Sequence, residues 1–165
     1  MPANQSETKD SAFAELVVVL SPADVVTALR NRYEYPDRNG QEAITVRPPF
    51  DGEARGEPRF SEAGNYWPPE MDPKPLDLAP RQFLDDEGRK RVNDVGYPTW
   101  GEVRRQLVGA GEEGDDEALR RSYDEWAELW EHEVRNALAD EIDVNEFGHG
   151  PIECVPVRYT DGENQ

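Results

Sequence analysis

The chain has 165 residues, enough for one domain with a core of its own. It carries 36 Asp and Glu against 18 Lys and Arg, a formal net charge of −18, and this balance repels anionic partners wherever arginines do not cluster. A single cysteine excludes an intrachain disulfide, and no apolar run approaches the length of a membrane span.

In chain order, residues 1–12 are polar and read as a flexible tail. They lack the basic region of a signal peptide, and the apolar run that follows, LVVVL, is too short for one. ELVVVL at 15–20 is β-branched and short, which predicts a buried strand. Ser21, Pro22 and Asp24 then give the cap, first position and acidic first turn of a helix. Its apolar face is Val25, Val26 and Leu29, and it must stop before Pro36. Asn39-Gly40 supplies a turn, residues 42–47 a second strand, and the segment after Pro48-Pro49 the returning strand of a hairpin at 46–60. Residues 61–80 read as a proline-rich loop ending in a short edge strand, PLDL, and 81–86 as a helical turn. DEGRKRVNDVGY at 86–97 reads as a polar loop. Thr99 with Glu102 has capping-box spacing and starts a helix that Gly109 and Gly111 end. A long helix follows from about 116 to 140, and alternation at Ile142/Val144 and Val155/Val157/Tyr159 predicts a C-terminal β-hairpin. The tail 161–165 should fray.

The stretch YDEWAELWEHEVRN, at 123–136, looks most like chemistry. At 100° per residue, Leu119, Tyr123, Trp126, Trp130, Val134 and Ala137 share one stripe, and His132 lies opposite. A zinc helix needs ligands converging on one side and a second histidine four residues away, and this helix has neither. The stripe therefore reads as a packing face, and His132 as a solvated residue. His149 reads as an exposed turn residue and Cys154 as a small core residue. No phosphate loop, dinucleotide fingerprint or Cys-x-x-Cys pair is present, so no cofactor, metal site or catalytic set is expected.

Charge is unevenly spread. Residues 30–59 carry six Arg against six acids, whereas 98–165 carry six against eighteen, so an anionic partner has one place to approach. That place holds VRPPFDGEARGEPRF, where Arg47, Arg55 and Arg59 could meet phosphates and Phe50 could stack a base. The same diproline corner could dock another protein, and the plainer reading puts Phe50 in the core with the arginines neutralising neighbouring acids. Lysine is scarce, three against fifteen arginines, which with the acidity suggests a cytosol of molar salt. There the Debye length falls to about 3 Å and self-repulsion costs little.

DVVTAL (24–29), VRPPFDG (46–52), PKPLDLAPRQF (73–83), YPTW (97–100), the Trp126/Trp130 helix and the terminal hairpin after HGP resemble a family of short acidic haloarchaeal and haloarchaeal-virus proteins. The resemblance implies a halophilic host and carries over no catalytic residue. The expectation is an α+β fold in a single domain at 13–160: a small, mostly antiparallel sheet with the 116–140 helix packed on it. The leading function is a non-enzymatic accessory or interaction protein of the cytoplasm, with an unnamed protein partner and no membrane contact. A nucleic-acid-associated protein using the Arg-bearing hairpin is the alternative. An enzyme and an acidic mimic of DNA follow.

Overall fold

A computed structural model describes residues 13–38, 41–61, 68, 70–71, 73–111, 115–145 and 151–160. The expected tails, the Asn39-Gly40 turn, much of the 61–80 loop and the hairpin tip with His149 lie outside the described residues. The chain forms an α+β fold divided into two compact units, one of residues 1–85 and 138–165, the other of residues 86–137.

The first unit is built on a six-stranded sheet. Its strands are β1 (Val17–Leu20), β2 (Glu42–Val46), β3 (Glu53–Phe60), β4 (Leu76–Leu78), β5 (Glu141–Asp143) and β6 (Cys154–Tyr159), in the spatial order β4-β2-β3-β1-β6-β5. β1 runs parallel to both of its neighbours, β3 and β6, and the other pairings are antiparallel. The sheet is thus mixed and six strands wide, not small and mostly antiparallel. The reason lies in the connection after β1. Helix α1 (Pro22–Glu34) carries the chain away, and β2 then turns back so that β3 re-enters alongside β1 in the same direction.

α1 begins as its residues dictate. Ser21 Oγ accepts from the Asp24 amide, and Asp24 Oδ2 accepts from the Ser21 amide, so two otherwise orphaned donors are satisfied. It ends at Glu34, just before Pro36, and buries Val25, Val26 and Ala28. β2 is buried from Ala43 to Val46, so both of its faces are covered. Its one polar residue there, Thr45, donates its hydroxyl to Asp77 on β4, directly opposite in the register.

β3 alternates exposed and buried residues over its first half. Gly56 falls on the buried side, where a Cβ would sit 2.9 Å from Ile44 Cγ2 and close to Val18 and Leu20. Glycine lets β1, β2 and β3 close up at that point. β1 pairs with β3 only as far as Arg55, so Pro58 lies where β3 has β2 alone as a ladder neighbour, and its missing N–H costs little. The C-terminal hairpin forms as the alternation predicts, with Ile142 opposite Val155.

The second unit is helical. It holds α2 (Asp86–Val95), α3 (Trp100–Gly109) and α4 (Asp116–Arg135). α2 occupies the stretch expected to be a polar loop. Only Gly88 and Val92 are buried along it, so it has no apolar stripe to announce it. Asp86 and Glu87 at its first turn and Gly96 just beyond its end, at φ +72°, are the signals it does carry. α3 starts at the Thr99 cap as predicted, with Thr99 Oγ1 accepting from the Glu102 amide. α4 has 20 residues and stops at Arg135, short of 140, where Asn136 caps it. The stripe on α4 finds helical partners: Leu119, Tyr123 and Trp126 pack on a core of Val103, Leu107 and Ala118.

Candidate functional site

The hairpin expected to meet a partner can be built up from β3. Side chains two apart on a strand share a face, so Glu53, Arg55, Glu57 and Arg59 form an alternating acid–base row. Arg55 and Arg59 thus alternate with carboxylates of their own strand, whereas Arg47 lies outside the row. Arg55 Nη2 also lies 3.6 Å from Asp24 Oδ2, the oxygen that caps α1. Glu53 takes Arg158 of β6 in a two-pronged contact, with Nη2–Oε1 at 3.0 Å and Nε–Oε2 at 3.1 Å. This is the planar fork that arginine forms and lysine cannot.

The other candidates are dispersed. Arg47 is exposed at the end of β2, Arg59 is half-buried, and Phe50 is 7% exposed with its ring 5.4 Å from that of Phe13. Phe60, the second aromatic of the hairpin, lies under the guanidinium of Arg38 at 4.7 Å and edge-on to Tyr35. At the corner itself, Pro48 and Pro49 are joined by a cis peptide bond. With Phe50, Asp51 and Pro73 they line a shallow, mostly apolar cleft of about 440 Å³.

The helical unit holds an aromatic cluster that the stripe only half announces. Trp130 is 1% exposed and meets the ring of Tyr97 edge-on at 5.0 Å. Tyr97 meets Tyr123 in the same way at 6.4 Å. Tyr123 in turn stacks on Trp100, with centroids 4.0 Å apart and planes 15° from parallel. Trp100 is 46% exposed, so this stacked pair brings a large apolar face to solvent. Trp126 is half-buried, and its indole N–H donates to the carbonyls of Val95, the last residue of α2, and of Gly96 just beyond it. Sequence reasoning took Trp126 and Trp130 as a pair. The ring contacts instead link Trp130 through Tyr97 and Tyr123 to Trp100, whose sequence signal is its place beside the Thr99 cap.

His132 is exposed, away from the tryptophans, and its Nε2 lies 2.9 Å from Asn136 Nδ2. Among the described residues, no three His, Cys, Asp or Glu side chains converge to hold a metal ion. Cys154 is exposed, not a core residue. The buried side of β6 is the Val155 side, so its neighbour one step along must point the other way. Desolvation, a hydrogen bond with Glu141 and the charges of Glu141 and Asp143 all push its thiol above the usual range.

Compared with known proteins, the model of a family described as a domain of unknown function, DUF8009, matches residues 4–161. No curated protein and no solved structure matches the chain. No helix among the described residues is long and apolar enough to cross a membrane.

Proposed function

Because the chain belongs to the DUF8009 family, whose description names no activity, we propose its function from its own surface: a non-enzymatic accessory protein that contacts another protein in a cytoplasm of molar salt, in a haloarchaeal cell or one of its viruses. The observation that carries this reading is the Trp100–Tyr123 stack, half open to solvent on a chain of net charge −18. In molar salt, charge attraction fades within about 3 Å, so a contact must come from desolvated apolar area. Exposed, rigid aromatic rings are the side chains that supply it, and tryptophan and tyrosine dominate binding energy at protein interfaces.

The alternative is a nucleic-acid partner at Arg47, Phe50, Arg55 and Arg59. What favours protein contact over it is the way these residues are used. Arg55 faces Asp24, Arg55 and Arg59 alternate with Glu53 and Glu57, and Phe50 is buried. Phosphate binding would also be weakest in the salt that the composition suits.

The test uses the parent, Trp100→Ala, and an Arg47/Arg55/Arg59 triple alanine variant, each tagged and recovered from the native host in molar KCl, with fluorescence anisotropy on labelled DNA and RNA in parallel. The expected result is a protein recovered in stoichiometric amount with the parent and the triple variant, lost with Trp100→Ala, and no anisotropy change. Binding of nucleic acid by the parent that the triple variant loses would replace this reading with the alternative.

A further inference from the structure

The helical unit is an insertion in the chain of the sheet unit. The chain leaves the sheet unit after Asp85 and returns to it at Leu138. Immediately before the exit and after the return, the two segments lie side by side. Leu84 and Leu138 form an antiparallel bridge, and the Ala139 amide donates to the Phe83 carbonyl at 2.9 Å. A third strand closes over them. The hydroxyl of Tyr159, on β6, lies 2.7 Å from the Ala139 carbonyl and 3.5 Å from the Phe83 carbonyl. One phenol thus reaches one carbonyl of the outgoing segment and one of the returning segment. Phe83 is itself fully buried and anchors the outgoing segment in the core.

An insertion whose ends are tied in this way need not unfold with its host. Its chain entropy is already closed off at the tie, and its own core of Val103, Leu107 and Ala118 with the aromatic cluster lies entirely between the two ends. Proteins open in such contiguous cooperative units, each with its own free energy.

We propose that the helical unit opens as a separate cooperative body, and that the Tyr159 hydroxyl is the clasp that sets how often it does so. Tyr159 is a positioning residue in this scheme: its hydroxyl ties the two backbone segments at the root of the helical unit. Burial, followed by the neighbouring Asp140 charge, pushes its phenol up, so the hydroxyl stays protonated and able to donate at neutral pH.

The experiment is native-state hydrogen exchange of the full chain in molar KCl, read by mass spectrometry over a series of sub-denaturing urea concentrations. The parent, Tyr159→Phe and, as a control in the same strand, Val155→Ala are compared. In the parent, the amides of α3 and α4 should follow an opening of lower free energy and shallower urea dependence than those of β1, β2 and β3. Tyr159→Phe removes only the hydroxyl. It should speed exchange of the Ala139 amide and of the helical unit by about three- to tenfold, the value of one net hydrogen bond, while β1–β3 are unchanged. Val155→Ala should instead speed the strands. A single urea isotherm shared by strands and helices in the parent overturns the separate body. Equal acceleration everywhere in Tyr159→Phe, or none, overturns the clasp. If Tyr159→Phe fails to fold, the hydroxyl is required by the whole fold and the clasp is likewise overturned.

Discussion

Trp130 and Trp126 sit one turn apart on α4 and do different work. Trp130 is 1% exposed, so truncating it leaves a large cavity in the aromatic cluster. Trp130→Ala should cost about 3–5 kcal/mol. Trp126 is half-buried, packs on Val103, Leu107 and Ala118, and shares its one indole N–H between the carbonyls of Val95 and Gly96. Trp126→Phe keeps most of the apolar area, removes the donor and should cost about 1–2 kcal/mol. Urea unfolding in molar KCl, with both variants against the parent, checks the order. Trp100→Ala belongs to a third class: its exposed ring packs on Tyr123 alone among the described ring pairs, and its loss should cost well under the Trp130 value.

Within single elements, the most constrained point is Gly56 on β3. A Cβ there meets Ile44 Cγ2 at 2.9 Å, and Ile44 belongs to the neighbouring strand in a buried layer. Gly56→Ala must shift the Ile44 side chain or the strands that carry it, and should lower stability by about 1–3 kcal/mol with no loss of secondary structure by circular dichroism. A neutral or stabilising result would mean that the strands yield more easily than their packing suggests. Much at this scale was legible in advance. The caps Ser21 and Thr99 marked α1 and α3, and alternation marked the C-terminal hairpin. What local pattern could not convey was partnership. The stripe on α4 says that one face is buried, not that Val103 and Leu107 of α3 lie against it. α2 escaped because a helix held by Val92 and its end signals has no periodic stripe to detect. The direction of β3 beside β1 is likewise a long-range property, set by how the chain returns after α1 and β2. At the candidate hairpin, the alternation of Glu53, Arg55, Glu57 and Arg59 was readable as a self-neutralising row. The ties from Arg55 to Asp24 and from Arg158 to Glu53 needed the fold.

Across the whole molecule, the decisive quantity is charge. A chain of net charge −18 with 36 carboxylates repels itself in dilute buffer, and the compact state concentrates that repulsion. The arginines offset part of it through contacts that keep their geometry. Arg158–Glu53 is a fork, and Arg135 brings Nε and Nη2 to one oxygen of Glu131, each at 3.0 Å. Such exposed pairs are each worth only about 0–1 kcal/mol, too little to balance the remaining excess of acid. On the halophilic reading proposed above, screening by the solvent supplies the rest. The most direct measurement is therefore thermal unfolding of the full chain, followed by circular dichroism from about 0.1 to 3 M KCl. A chain built for a high-salt cytoplasm should lose helix content at the low end and melt at steadily higher temperature as salt is added. Equal helix content and equal melting temperature across the series would contradict it.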